Sequence, residues 1–395
     1  MSLLAQHGWG KGEKIQRALS SQDISGVILS PHDERLAEMT RYVGELAQLP
    51  RRPHIMVDPQ VYVSLLQGAK EGKLPEYPYY HRNLFLRDFS ARNIQLFVRE
   101  AIDFQRNLEV THILSPTIIQ ESFSDRTSQV SLSLAQESVD YWSGIQGEKR
   151  PLLISVVFSE NALSSHDQVA EFLDTISLYE TQGFYLVVDR NDTVYSQDFQ
   201  PARLSEFLKI IYSLSRSKFE VICGYSDFLG LLYTAFGASG VATGWSQRLR
   251  RFNSSKFIPS AGGRQPRDRY SSAPLLNSIF VTELDACRDA KLLPDVLSNT
   301  PYDKVFNVNS YPSGISWLQG TAALHHWATL AALQKPFSGK PVPDRLQVVG
   351  RTITRAQTLY AQLARSGVTF DPQNGPNHLV NWAEALANAK SSLRI

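Results

Sequence analysis

The sequence predicts an α/β fold, a (βα)8 TIM-type barrel with a C-terminal helical appendage, on three observations. Eight short apolar, β-branched runs recur along the chain, at 26–29, 54–57, 111–114, 152–158, 184–188, 220–223, 240–243 and 277–281. The gaps between them carry apolar residues at helical spacing, as in Val169, Phe172, Leu173, Ile176 and Leu178. Apolar strands alternating with amphipathic helices make a parallel sheet covered by helices, and eight such units are the number at which the sheet closes on itself. The strand ends are also punctuated alike: Ile-Leu-Ser-Pro stands at 28–31 and again at 113–116, and Val57-Asp58-Pro59 closes the second run. Proline has no amide hydrogen to give the sheet, so each one ends pairing where a loop must begin and leaves Ser30, Asp58 or Ser115 at the carboxyl rim. An open doubly wound sheet uses the same units and is the alternative.

Taken in order, the first connection is short and the second, 62–110, is long. The second is aromatic and basic (Tyr77, Tyr79, Tyr80, His81, Arg82, Phe85, Arg87) and reads either as a wall over the rim or as a packed extra pair of helices. The next five runs follow one another at the spacing of strand, helix and two loops, and the eighth brings the expected barrel to 1–284. After Leu284 strand-like runs stop. Helices are expected at 316–333, 344–366 and 376–391, separated by the breakers Pro336, Gly339, Pro341, Pro343 and Gly367. The broad apolar face of Leu346, Val349, Ile353, Ala356, Leu359, Tyr360 and Leu363 needs a surface, so 285–395 is expected to pack on the barrel or on a partner protein.

Composition bounds the function. With 395 residues, 43% hydrophobic and 20% charged, the chain can bury a sizeable core, and disorder as its main state is excluded. No stretch approaches the ~20 apolar residues that cross a bilayer, and the first fourteen residues hold no signal-peptide apolar block, so a cytoplasmic protein without a membrane partner is expected. Cys223 and Cys287 are too few for a disulfide framework or a Cys-based zinc site. No cofactor and no metal site are expected. The nine histidines are scattered, no His-X-His follows the first run, and His325-His326 reads as a packing pair in an apolar helix. No Gly-X-Ser-X-Gly elbow, Walker loop or Rossmann fingerprint occurs. The seventh run ends in Gly244-Trp245 with no carboxylate to pair with Glu160, against a retaining glycosidase, whose carboxyls stand ~5 Å apart.

Two groups of residues are left as candidates. In 236–245 a small-residue entry, a short run and a closing glycine, with Gly240 and Gly244, have the form of a late-strand phosphate loop, where glycine lets backbone N–H groups approach an anion; tight helix–strand packing is the other reading. From Trp245 to Tyr270 there follow seven basic residues (Arg248, Arg250, Arg251, Lys256, Arg264, Arg267, Arg269) against one acid, Asp268, in a chain whose net charge is +2. Pro259, Gly262, Gly263 and Pro266 make this a long loop rather than a helix face. Arginines suit bidentate phosphate contacts, and Trp245, Phe252, Phe257 and Tyr270 offer stacking surfaces for bases; a solvated basic loop is the alternative. Among acids, Asp58 and Asp189 end the second and fifth runs and Glu160 follows the fourth, where a partly buried carboxylate can serve as nucleophile or base; helix capping or a turn over 189–192 is the other reading. Tyr62, Arg190, Tyr225 and Asp227 stand second on the same rim.

The succession Val57-Asp58-Pro59-Gln60, then 240–244, then 266–270 resembles the order of motifs in tRNA-guanine transglycosylase-like barrels. The resemblance covers the barrel. It implies exchange of a base in a polynucleotide, with Asp58 and Asp189 as base and nucleophile; Gln60, in the first of these motifs, is a candidate ligand contact. The Cys-rich zinc site of those enzymes has no counterpart here, since two cysteines cannot build it. The function expected is therefore a barrel that binds a phosphate-bearing ligand, nucleotide or nucleic acid, with glycosyl or base transfer at a nucleoside as its reaction. A noncatalytic nucleic-acid-binding or scaffold subunit, and a flavin- or sugar-phosphate-binding barrel enzyme, are the alternatives.

Overall fold

The computed structural model describes residues 1–190, 197–259, 267–307 and 309–395. Arg264 and the glycines and proline of 262–266 lie outside the described residues, as do residues 191 and 192 of the expected 189–192 turn. Its core is a parallel sheet of β1 (Ser2–Gln6), β2 (Gly26–Leu29), β3 (His54–Val57), β4 (Ile113–Leu114), β6 (Leu152–Ser159), β7 (Gly183–Asp189), β8 (Glu220–Cys223) and β9 (Gly240–Thr243), with the two-residue β5 (Ile119–Gln120) also on β6. β1 pairs with both β2 and β9, so the sheet curls round to join its first and last strands. At the seam between β3 and β4, Thr111 closes the barrel: its N–H donates to Ile55 O at 2.8 Å, and its Oγ1 accepts from Ile55 N at 2.8 Å.

The strand count is eight, but two expectations about its members are corrected. The amino-terminal Ser2–Gln6 is the first barrel strand, and it escapes a search for β-branched runs because Leu, Leu and Ala have little β preference of their own; neighbours on both sides hold it. The run at 277–281 is not a barrel strand. Its residues Asn277–Phe280 (β11) pair antiparallel with Arg269–Ser272 (β10) as a hairpin outside the barrel. Each expected strand before it consequently stands one place later in the barrel.

Helices α1 (Lys14–Ser20), α2 (Leu36–Ala47), α3 (Ala91–Arg106), α4 (Arg126–Ser143), α5 (His166–Ile176), α6 (Pro201–Arg216) and α7 (Gly230–Ala235) fill the outer ring in chain order. Between β9 and the eighth ring helix come the hairpin, α8 (Val281–Asp289) and α9 (Leu293–Val296). That eighth helix is α10 (Gln319–Gln334), which packs between α1 and α7 and against β1. Residue 284 therefore falls inside α8, and a helix expected in the appendage completes the barrel. α10 is apolar nearly all round, as befits a helix covered on every side. Its His325 and His326 are fully buried and satisfied: His326 contacts Ser271 Oγ at 2.8 Å and His325 contacts Thr300 Oγ1 at 2.9 Å. The last helices, α11 (Val342–Arg365) and α12 (Asn377–Leu393), lie on α7 and α6, and the apolar face of Leu346, Val349, Ile353 and Leu363 is buried there. Trp382 of α12 donates its indole N–H to Gln197 O at 3.0 Å, tying the end of the chain to the loop after β7.

The long second connection is a wall built of 3-10 turns leading into α3, with Tyr77 and Tyr79 buried against Phe104. No helix among the described residues is long and apolar enough to cross a membrane.

Candidate functional site at the carboxyl mouth of the barrel

Alternation along each strand sends every second side chain inward, and the register makes those residues neighbours. Ser159 stands opposite Asp189 on β6 and β7, and Gln6 opposite Ile28 on β1 and β2. The uppermost inward layer is polar: Gln6, Ser30, Asp58, Ser159 and Asp189, all buried.

Asp58 follows β3 and is 2% exposed. Its Oδ2 accepts from Tyr62 Oη at 2.9 Å and its Oδ1 from the Gln60 backbone at 3.1 Å. The second bond holds Gln60 in the left-handed region, φ 54°, a local Asp-to-backbone turn that only the tight loop demands. Burial pushes the Asp58 carboxyl up to about 6, against the pull of those two donors. Gln60 in turn accepts from Ser30 Oγ at 3.1 Å and from His32 N at 2.9 Å, which leaves its Nε2 buried without a partner. The Gln6 Nε2 is likewise unpaired, while its Oε1 is reached by Tyr185 Oη at 3.5 Å.

Across the barrel, Asp189 ends β7 and accepts from the Ser254 backbone at 2.9 Å. This bond belongs to a strap, residues 252–257, that crosses the mouth. Arg190 N donates to Phe252 O at 3.1 Å on the β7 side, and Lys70 N donates to Phe257 O at 2.7 Å on the wall side. Between these moorings the strap delivers Lys256. Its ammonium donates to Tyr225 Oη at 3.0 Å and lies 4.4, 4.7 and 4.8 Å from the ring centres of Tyr225, Phe252 and Phe257. Burial lowers it to about 8, against the charges of Asp33, Asp58 and Asp189 around it. Tyr62 packs edge-on to Phe252 at 5.6 Å, closing the aromatic ring.

The other expected residues divide. Glu160 is buried beside β7, where its charge acts on Arg190 and on the half-buried Arg251. Arg190 is buried, its guanidinium over Phe199 and bonded to Asp198 O, and burial holds it below the usual arginine value. Arg248 is exposed beside the strap. Gly244 is committed to packing: a Cβ there meets Leu249 Cβ at 2.2 Å, and its N–H already donates to Leu249 O. Gly240 packs on Ile222 in the sheet. Arg250 is buried away from the mouth, bonded to Gly244 O at 3.2 Å and Ser278 Oγ at 2.9 Å. Tyr270 bonds Asp303 and Ser298 beneath the hairpin, Arg267 lies over Phe280, and Trp245 packs edge-on to Trp327. Asp227 is buried next to Gln197 and His326.

The structure thus brings together Asp58, Gln60, Tyr62, Asp189 and Tyr225, flanked by Glu160, Arg190, Arg248 and Arg251. Sequence reasoning did not single out Gln6, Asp33, Tyr185 or Lys256 as site residues. Gln6 lies in the strand that composition hides, and Lys256 is one cation among seven until the strap is folded. Among the described residues no three His, Cys, Asp or Glu side chains are grouped to hold a metal ion. A cavity of about 580 Å³ at the opposite, amino-terminal end of the strands holds none of these residues. That face of a barrel serves stability.

The fold is a (βα)8 barrel whose carboxyl end buries Asp58 and Asp189 beneath a strap that carries Lys256. No family model and no curated protein matches the chain.

Proposed function

We propose that the protein performs glycosyl or base transfer at the nucleoside of a phosphate-bearing ligand, a nucleotide or nucleic acid, at the mouth of its barrel. The observation that carries the reading is the convergence of two buried carboxylates, Asp58 from β3 and Asp189 from β7, on one aromatic-walled centre. Asp189 acts as nucleophile: its oxygen bonds to the sugar C1′ as the C1′–N bond breaks. Asp58, able to hold a proton near pH 6, gives that proton to the departing base and takes one back from the incoming base. The unpaired amide N–H groups of Gln6 and Gln60 supply donors for a base edge, and Tyr62 and Tyr225 form the aromatic wall beside them. In this reading Arg248, exposed, and Arg251, half-buried, contact the phosphates. The order of motifs, which resembles that of tRNA-guanine transglycosylase-like barrels, supports the same reading.

The test is incorporation of isotope-labelled free base into RNA or DNA by the purified protein. Label is expected to enter the polynucleotide, and Asp58→Asn and Asp189→Asn are each expected to slow it by about 100-fold or more. Arg248→Ala is expected to leave the fold intact and to reduce the slope of log affinity against log salt by about 1. Polynucleotide binding without incorporation, unchanged in both Asn variants, would favour the noncatalytic subunit instead.

A further inference from the structure

We propose that Lys256 is an amine nucleophile that condenses with an aldehyde or ketone carbon brought to the barrel mouth, forming an imine. This goes beyond base transfer and does not depend on it. A lysine on a surface loop is ordinarily a solvated cation; this one is drawn out of water, and its lost hydration outweighs the pull of the Asp33, Asp58 and Asp189 carboxylates. Three aromatic rings surround the nitrogen, and its direct polar partner among the described residues is the Tyr225 hydroxyl at 3.0 Å. Removal from water disfavours the ammonium, and the neutral amine is the form that attacks carbonyls. Lowered to about 8, Lys256 carries a substantial neutral fraction just above neutral pH, where an ordinary lysine carries almost none.

The surroundings supply the rest of the chemistry. The Lys256 nitrogen attacks the carbonyl carbon, the C–N bond forms, and the carbonyl electron pair moves to oxygen. Asp58, buried and titrating near 6, accepts the proton shed by nitrogen and returns it to the carbinolamine hydroxyl, which leaves as water. Aldehyde or ketone and amine thus become imine and water, with no oxidant or reductant required. The unpaired Gln6 and Gln60 amides point to a ligand with acceptor oxygens, as hydroxyls or a ring carbonyl would provide. Lys256 as a residue is half-buried, and labelling tests whether its nitrogen is reached from the mouth.

The experiment uses the complete protein with two probes, glyceraldehyde and pyridoxal phosphate, each trapped by borohydride and mapped by peptide mass spectrometry across a pH series. Lys256 is expected to be modified at least several-fold faster than exposed Lys218 and Lys291, with half-maximal rate near pH 8. Lys256→Arg should abolish this fast phase and leave slow labelling elsewhere, and Asp58→Asn should slow the fast phase with Lys256 still present. Modification of Lys256 no faster than of exposed lysines by either probe, in protein with native near-ultraviolet circular dichroism, would overturn the proposal. Fast labelling by glyceraldehyde but not by pyridoxal phosphate would uphold the amine chemistry while weakening the phosphate-bearing ligand of the preceding section.

Discussion

At the scale of single residues the mouth is a place where side chains are kept in forms that water would not choose. Asp58 is the clearest case, because its folded-state carboxyl titrates near 6 rather than at the ordinary aspartate value. A raised carboxyl favours the folded state only while protonated, so its cost appears as pH rises through the window from about 4 to about 6 and is full above it. Asp58→Asn removes that cost. The variant is expected to be more stable than the parent at pH 8, by on the order of 2 kcal/mol, and to lose this advantage below pH 4. Denaturant midpoints at the two pH values measure it, and a variant less stable at pH 8 would mean that the hydrogen bonds from Tyr62 and Gln60 outweigh the burial.

At the scale of elements, the chain departs from an ordinary barrel between β9 and α10. The ring helix that should follow the last strand directly comes only after the strap, the hairpin and two short helices. Trp327 Nε1 nevertheless donates to Thr243 O at 3.0 Å, so the end of β9 and the middle of α10 are fastened together across the insertion. Truncation after Leu284 thus removes a ring helix as well as the outer pair. Each of Leu324, Trp327 and Leu330 contributes roughly 1.5–3 kcal/mol through burial, and their partners on α1 and α7 are left bare. The 1–284 fragment is expected to be insoluble or aggregated by light scattering; a monodisperse, folded fragment would show that the other seven units close without it.

At the scale of the whole molecule, four histidines lie buried as neutral rings on different elements: His7 at the mouth, His325 and His326 on α10, and His378 on α12. Burial lowers His7, His325 and His378 to about 4, and His326 further. The unfolded chain takes protons at these rings near 6.5 while the folded chain does not. Stability is therefore full above about pH 6.5 and is lost as pH falls from there toward 4. Asp58 works the other way over part of this window, as do Glu121, Asp227 and Glu283, whose carboxyls burial also raises, while His54 is lowered with the four rings. Thermal melts are expected to fall between pH 6.5 and 4, with a slope corresponding to net uptake of protons on unfolding. A flat profile over that interval would place the rings in contact with water.

The alternation of apolar runs with helical spacing, and the prolines after Ser30, Asp58 and Ser115, were enough by themselves to determine a parallel sheet covered by helices with Asp58 and Asp189 at its carboxyl ends; that the sheet closes into a barrel rather than staying open was decided by β1 pairing with β9. These are local signals, since burial on both faces makes a strand apolar along its length and a missing N–H ends it wherever the strand stands. Membership and convergence were decided only by the tertiary structure. Ser2–Gln6 is a strand because β2 and β9 supply partners on both sides, and Asn277–Phe280 is a hairpin arm because its partner is Arg269–Ser272 and not a barrel strand. The cations of 245–270 look equivalent along the chain, yet folding turns Arg250 and Arg269 to the hairpin, leaves Arg248 in water and carries Lys256 over the mouth. Nothing local distinguishes them, because the moorings that aim Lys256, at Arg190 and Lys70, lie 60 or more residues away in sequence.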